Sequence, residues 1–296
     1  MRDPITFSIV IPTHNRADRL RRCLDSLTGL DYPKDQFEVV VVDDGSAPSM
    51  HDVVKPFHDR LNLTLVQQSQ SGPAAARNRG VSHASNRYIA FTDDDCELDQ
   101  NWLNHFADGF RERPDAVLGG YTINALKDNS PAAASQLLID HIYQYFNREP
   151  NDARFFTSNN LAISREGFLG SGGFDTQFPL AAGEDREICD RWRYQGLKLI
   201  YIPSATILHS HEMTLKKFFK QHFNYGQGAF QFHHLRNVRD SGRHRVEPLS
   251  FYFDMFRLAF DKKQNALKMA SLLFVSQFAN AAGYFYAKFL RKPSEV

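Results

Sequence analysis

FSIVIPTHNRADRLRRCLDSL (residues 7–27) is the stretch that decides the fold class, because it changes from one hydrophobic pattern to another. Residues 7–11 are an apolar, largely β-branched run that stops at Pro12, which predicts a buried strand. From Arg16 to Leu27 the apolar residues recur at helical spacing, so the intervening polar residues are expected to face away from the core, Arg19, Arg21, Arg22 and Asp25 among them. The stretch therefore predicts a strand followed by a helix.

The same pattern recurs through the first third of the chain. FEVVVV (37–42), LTLVQQ (63–68) and YIAFT (88–92) are further apolar runs separated by segments of helical length. Such alternation predicts an α/β fold with a mainly parallel sheet and helices on both of its faces. After residue 115 the rhythm changes, with a Gly-Gly pair at 119–120, a loop near 127–131 and a helix near 183–196, and this half is expected to complete the sheet.

Composition narrows the class of protein. Of 296 residues, 42% are hydrophobic and 23% charged, which is typical of a globular chain. The net charge of +1 argues against a nucleic-acid partner. The three cysteines are far apart and form no CxxC pair, and the first residues show no signal-peptide pattern. Both observations predict a cytoplasmic location.

The most informative polar cluster is Asp93-Asp94-Asp95, directly after an apolar strand. Ligands bind beyond the carboxyl ends of parallel strands, and adjacent carboxylates repel one another unless a cation or hydrogen-bond donors lie among them. A divalent ion held together with a substrate phosphate, Mg²⁺ or Mn²⁺, fits this pattern. The alternative is an N-terminal cap for a helix over 99–110.

Two further segments follow strands in the first half. Asp43-Asp44-Gly45-Ser46 offers carboxylates to a base or a ribose hydroxyl, although the same residues also favour a simple turn. SGPAAARNRG (71–80) brings Arg77 and Arg79 to a helix that either pairs with a diphosphate or faces solvent. Neither GxGxxG nor GxxxxGK[ST] occurs, so dinucleotide and P-loop sites have no support.

Two later segments also carry candidate chemistry. Glu184-Asp185 begins a predicted helix, where a carboxylate either serves as a general base or lies in an exposed first turn. His209 and His211 lie on one face of a strand-like run, and one of them is a candidate metal ligand, although paired surface histidines are common.

Taken in order, seven segments resemble the inverting nucleotide-sugar glycosyltransferases of family 2, which have the GT-A fold. The segments are IPTHNR (11–16), VVDDGS (41–46), GPAAARNRG (72–80), FTDDDC (91–96), GGFD (172–175), GED (183–185) and the histidine pair. The resemblance implies a catalytic domain over 1–212, with the sugar nucleotide held by residues 1–96 and the acceptor by 97–212. It also implies a helical extension over 213–296.

The resemblance also implies roles for individual residues. Asp185 would be the general base, with Glu184 beside it. The donor site would be formed by Pro12, Thr13, Arg16, Asp43, Asp44, Arg77, Asp93 and Asp94. Mn²⁺ or Mg²⁺ would be held by Asp95, Asp93 and His209, with the register of the DxD motif within the triplet left open. The expected partners are a nucleotide-diphosphate sugar, with UDP favoured, and a glycan or lipid-linked acceptor from surface polysaccharide or glycolipid assembly.

One departure from the family pattern bears on the product. Processive members carry a QxxRW motif some way after the acidic pair, whereas the corresponding stretch here is Gln221-His222-Phe223-Asn224-Tyr225. This favours transfer of one sugar per encounter. Two other functions are weighed against it: a sugar-1-phosphate nucleotidylyltransferase, which would need a glycine-rich loop near the first strand, and a non-catalytic sugar-nucleotide-binding scaffold.

The extension carries an apolar stripe. Leu267, Phe274, Phe278, Phe285 and Phe289 recur near helical spacing. Cationic residues near the two ends of the stripe could meet anionic lipid headgroups: Lys268, Lys288, Arg291 and Lys292. The stripe therefore predicts a helix that lies in the inner membrane surface, or one that packs on the enzyme's own core or on a second copy. Met269 to Ala287, although free of charge, contains enough polar residues to be read as amphipathic rather than spanning.

Overall fold

A computed structural model describes residues 4–178, 182–239, 247–261 and 265–290. Its eight strands are β1 (Phe7–Thr13), β2 (Phe37–Asp44), β3 (Leu63–Gln68), β4 (Tyr88–Phe91), β5 (Cys96–Leu98), β6 (Val117–Asn124), β7 (Leu161–Ser164) and β8 (Leu199–His209). Its helices are α1 (Ala17–Thr28), α2 (His51–Val54), α3 (Pro73–His83), α4 (Trp102–Glu112), α5 (Ser130–Phe146), α6 (Arg165–Gly170), α7 (Glu184–Tyr194), α8 (Leu215–Val238), α9 (Leu249–Asp261) and α10 (Ala266–Leu290).

The described strands form one sheet in the order β3-β2-β1-β4-β7-β6-β8-β5. The first four strands are parallel, β7 runs antiparallel to its two neighbours, and β5 runs antiparallel to β8. Strand β1 continues through Pro12 to Thr13, beyond the predicted stop. The pairing with β4 ends at Val10, so β1 has one hydrogen-bonded neighbour at Pro12, where a proline is tolerated.

Helices cover both faces of the sheet, as predicted. Alternate residues of a strand point to opposite faces, and Ile9 and Val39 pack in one core with α1 and α4, while Val10 and Val40 pack in a second core with α3 and α7. The α/β class and the mainly parallel sheet are therefore confirmed.

The Gly119-Gly120 pair lies inside β6, where two groups approach its backbone closely. A Cβ on Gly119 would lie 2.1 Å from the ring of Phe156, and one on Gly120 would lie 2.1 Å from the carbonyl oxygen of Ala205. Only glycine leaves room for both contacts, so the pair allows β6 and β8 to pair side by side in the second half of the sheet.

The C-terminal helices are not detached from the rest of the chain. A third core joins α8, α9 and α10 to α5 of the second half, with Leu137, Phe218, Met255 and Leu273 at its centre. The boundary at 212/213 stays a prediction, but the helices beyond it share a core with the segment before it.

Candidate active site

The carboxyl ends of β1, β2 and β4 open into a cavity of about 460 Å³. Nearly all of the residues singled out by the sequence line it: Pro12, Thr13, Arg16, Asp44, Arg77, Asp93, Asp94, Asp95, Glu184, Asp185 and His209. The parallel strands bring the first group to one edge of the sheet, while α7 and the end of β8 bring the acidic pair and the histidine from more than 80 residues away along the chain.

Asp43 is the exception, because it does not line the cavity. Its carboxylate accepts hydrogen bonds from the backbone N–H of Ser46 and of Met50, both at 3.0 Å. Burial by itself would raise the pKa of Asp43, but these hydrogen bonds outweigh it and lower that pKa. Asp43 thus holds the loop after β2, which agrees with the alternative that these residues form a simple turn. Asp44, in contrast, lines the cavity and accepts a hydrogen bond from the N–H of Gly72 at 2.9 Å.

The first two aspartates of the triplet have different partners. Asp93 accepts from Arg77 Nη2 at 2.7 Å. Asp94 accepts from Thr13 Oγ1 at 2.7 Å and from Arg16 Nη1 at 3.1 Å. Burial raises the pKa of Asp94 to about 6, although Arg16 opposes the shift. Asp94 is therefore tied to the end of β1, and the triplet does not cap α4, which begins only at Trp102.

Asp95 lies among histidines. Antiparallel pairing places Cys96 of β5 opposite His209 of β8, so the neighbouring Asp95 reaches both imidazoles. Asp95 Oδ1 is 3.2 Å from His209 Nε2, and Asp95 Oδ2 is 3.6 Å from His211 Nδ1. Burial would raise the pKa of Asp95, but hydrogen bonds from the two histidines hold it well below its usual range.

These three side chains are a possible metal site. One ligand atom from each of Asp95, His209 and His211 lies within 4.8 Å of the others. Asp93, which pairs with Arg77, is not a member of this group, so the arrangement does not favour it as a ligand. His211, which the sequence left as an alternative metal ligand to His209, belongs to this group together with it.

Arg19 lies outside the buried side of α1, as expected, but its side chain reaches the site. Its Nη1 donates to Asp95 Oδ2 at 2.9 Å. Periodicity identified the buried side of α1 correctly, with Leu20 and Cys23 fully buried. However, an arginine side chain is long enough to reach from the flank of a helix to the edge of a sheet, so Arg19 adds a cation beside the acidic triplet.

The acidic pair begins α7. Gly183, at φ +95°, precedes the helix, and a Cβ there would lie 3.0 Å from the backbone of Gly228 in α8, so glycine permits this close approach. Glu184 Oε1 lies 3.8 Å from Nη1 of Arg77, a guanidinium that is only 4% exposed. The pair and Arg77 therefore form one charged group inside the cavity.

Both carboxyls of the pair keep an oxygen free. Within the described part of the chain, Glu184 Oε2 and Asp185 Oδ1 have no hydrogen-bond partner. Burial raises the pKa of both residues, and Arg77 opposes the shift in each case. A carboxylate that lines a cavity and has a raised pKa can accept a proton from a bound hydroxyl.

A further wall of the cavity comes from α5 and α8 and was not predicted. Gln221, His222 and Tyr225 of α8 line the cavity, with Ser135 of α5 beside them. Burial lowers the pKa of His222 to about 4, so this ring is neutral at physiological pH. The only sequence signal was the position of Gln221 where processive members carry QxxRW.

Comparisons with known proteins agree with this geometry. A family model described as glycosyl transferase family 2 matches residues 8–169, more than half of the chain. The glycosyltransferase AglE of Haloferax volcanii is 38% identical over 99 residues, which are 32% of this chain and 32% of that protein. The pre-mycofactocin glycosyltransferase of Mycobacterium tuberculosis is 29% identical over 228 residues, 75% of this chain and 46% of that protein. The chain thus spans from about a third to nearly half of the length of these relatives.

Solved structures share the fold. The mannosyltransferase PcManGT from Pyrobaculum calidifontis, in complex with GDP-Man and Mn²⁺, superposes with a TM-score of 0.62 at 20% identity, over 97% of this chain and 76% of that one. Residues 1–349 of TarS from Staphylococcus aureus give a TM-score of 0.57 at 17% identity, over 96% of this chain and 90% of that one. The family model matches more than half of the chain and the solved structures share its fold, so this chain belongs to glycosyl transferase family 2 and has the GT-A fold.

Proposed function

We propose that this chain is a metal-dependent, inverting glycosyltransferase that moves one sugar from a nucleotide-diphosphate sugar to an acceptor hydroxyl. The observation that carries the proposal is that a single cavity holds a carboxylate with a free oxygen, Asp185, together with a buried arginine, Arg77, and the Asp95 group. These are the parts that a displacement at a sugar carbon needs: a base, a counter-charge for the diphosphate and a cation site.

The donor is proposed to lie along the carboxyl ends of β1, β2 and β4, against Pro12, Thr13, Arg16, Asp44, Arg77 and Asp93. Arg77 supports a diphosphate because its Nε and Nη1 have no hydrogen-bond partner among the described residues, although the side chain is buried. A UDP-sugar is the favoured donor. TarS has been solved with UDP-GlcNAc, whereas PcManGT holds GDP-Man, so relatives of this fold use more than one base.

The proposed metal ligands are Asp95 and His209, joined by His211. One carboxylate oxygen and two imidazole nitrogens fit a divalent transition ion, and two nitrogen ligands favour Mn²⁺ over Mg²⁺, which prefers oxygen. When bound, such an ion stabilises negative charge on the leaving diphosphate. Asp94 is proposed to fix the position of the acidic triplet, since its hydrogen bond from Thr13 ties the triplet to the end of β1.

Asp185 is proposed to take the proton from the attacking hydroxyl. The hydroxyl oxygen forms the new bond to the anomeric carbon as the bond to the diphosphate breaks on the opposite face, so the anomeric centre inverts. Glu184, whose Oε1 lies 3.8 Å from Arg77 Nη1, is proposed to balance the charge of that guanidinium. The acceptor is proposed to enter along the wall formed by Gln221, His222 and Tyr225, and a glycan or lipid-linked acceptor of surface polysaccharide or glycolipid assembly fits the family.

Thermal shift with a panel of UDP-, GDP- and dTDP-sugars, with and without Mn²⁺, tests the proposal. One class of donor is expected to raise the Tm, and to raise it further with Mn²⁺. Asp95→Ala is expected to remove the metal-dependent part of the shift and to abolish transfer. Donor binding and turnover that are unchanged in EDTA would contradict the metal dependence, and turnover without any donor selectivity would contradict the donor site.

A further inference from the structure

The exposed side of α10 carries large apolar residues from its first turn to its last. Five of its large apolar residues fall on one side of the helix and are each more than half exposed: Leu267 (77%), Phe274 (65%), Phe278 (61%), Phe285 (53%) and Phe289 (69%). The opposite side, with Leu273, Ser276, Ala279 and Gly283, packs against the protein. The stripe predicted from the sequence therefore faces outward and does not pack on the described core. A patch of this kind marks an interaction site.

Helix α8 packs against the side of α10 opposite the stripe, and its first turns lie beside the end of α10. A Cβ on Gly226 would lie 1.9 Å from the carbonyl oxygen of Asn280, and one on Gly283 would lie 1.9 Å from that of Phe223. The contact partner in α10 moves toward its C-terminus as the residue in α8 moves toward its N-terminus, so the two helices run antiparallel. The rings of Phe223 and Tyr286, 5.5 Å apart, continue this contact toward the start of α8.

The antiparallel arrangement places the start of α8 beside the end of α10. Two apolar residues there are exposed, Leu215 at 65% and Phe219 at 39%. Lys216, Lys217 and Lys220 are exposed around them. At the end of α10, Lys288 is exposed as well. Arg291 and Lys292, which the sequence analysis placed beside it, lie outside the described residues.

The charged side chains of α8 and α10 are all cationic. Neither α8 nor α10 contains an aspartate or a glutamate, whereas lysines occur near the start of α8 and near both ends of α10. A second copy of the same surface would bring lysines against lysines with no carboxylate on either helix to pair with them. An anionic lipid surface offers both an apolar layer for the phenylalanines and negative charge for the lysines.

We propose that the outer face of α10 and the first turns of α8, which we call the basic apolar face, bind the surface of an anionic bilayer. The helices lie in the interface, since no helix in the described ranges combines the length and hydrophobicity needed to cross a bilayer. The same α8 contributes Gln221, His222 and Tyr225 to the cavity, so the bilayer would lie on the side of the cavity that α8 forms.

This inference goes beyond the proposed function and does not depend on it, because vesicle binding is measured without donor or turnover. The test is co-sedimentation of the full chain with phosphatidylcholine vesicles, with and without phosphatidylglycerol. The chain is expected to sediment with the anionic vesicles, and less so at high salt. A full chain that stays in the supernatant with anionic vesicles would overturn the proposal.

Two double variants separate the two contributions. Lys216→Gln with Lys217→Gln is expected to weaken partitioning on the order of 30-fold, since each lysine near the surface contributes about fivefold. Phe274→Ser with Phe278→Ser is expected to weaken it by at least about tenfold at any salt. All four side chains are exposed, so thermal unfolding should be unchanged.

Matched controls lie on other elements. Lys55→Gln removes an exposed lysine from the first half of the chain, and Leu169→Ser removes an exposed leucine (49%) from α6. Neither is expected to change partitioning. Equal loss in controls and variants would overturn the proposal. So would a phenylalanine variant that converts a dimer to a monomer in sedimentation equilibrium without changing vesicle binding, because the stripe would then be a contact between copies.

Discussion

Asp185→Asn separates catalysis from donor binding at this site. Asparagine has the shape of aspartate but cannot accept the proton of an attacking hydroxyl. Loss of a general base lowers kcat by roughly 10²–10⁴-fold, which raises the activation barrier by about 2.7–5.5 kcal/mol. Donor affinity should stay nearly intact, because the donor contacts proposed for Arg77 and Asp93 do not involve the Asp185 carboxyl.

The same substitution has a predicted effect on stability, and its sign is opposite to that of most substitutions in a buried site. Burial raises the pKa of Asp185, so its charged form is less favourable in the folded state than in the unfolded state. The charge therefore costs stability at neutral pH, by about 1.4 kcal/mol for each unit of the shift. Asp185→Asn should raise the Tm at neutral pH, and the gain should vanish below the ordinary pKa of aspartate.

The assay combines steady-state kinetics with thermal unfolding across pH. In the unmodified chain, kcat should fall as the pH is lowered through the raised pKa of Asp185, that is, above the ordinary range of an aspartate. Asp52→Asn, whose side chain is 98% exposed, is the control and should change neither quantity. Near-normal kcat in Asp185→Asn would refute the assignment, and Glu184 would then be the next candidate base.

Two further predictions concern the residues that shape the site. Arg77→Met should lower the free energy of unfolding by about 3–5 kcal/mol in denaturant unfolding, since it leaves the carboxylates of Asp93 and Glu184 without their buried cation. Arg21→Met, which removes an exposed ion pair, should cost less than about 1 kcal/mol. Gly120→Ala should lower stability by about 3 kcal/mol, because its Cβ would lie 2.1 Å from the carbonyl oxygen of Ala205, and an unchanged Tm would contradict that contact. Gly170→Ala, where a Cβ meets nothing within 4 Å, should be neutral or stabilising in the same thermal unfolding measurement.

The sequence by itself determined the strands, the edge of the sheet that carries the site, and the family, because each of these depends on residues that are neighbours in the chain or on the order of motifs along it. Apolar runs such as 7–11 and 37–42 predicted strands because a buried parallel strand needs continuous apolar residues, and the structure places strands there. Polar residues at strand ends predicted the site because the carboxyl ends of parallel strands meet at one edge. The order of the motifs along the chain identified the family.

The tertiary structure alone decided which distant side chains meet. Asp95 joins His209 and His211 because β5 pairs with β8, and no local pattern specifies that a three-residue strand pairs with one more than 100 residues later. The wall formed by Gln221 and Tyr225 depends on where α8 packs, which its third core with α5 determines. Asp43 and Asp44 have the same local sequence signal, and only the loop that folds over Asp43 separates a structural carboxylate from one that lines the cavity. Local spacing selects helices and strands, whereas pairing and packing between remote segments assemble the site.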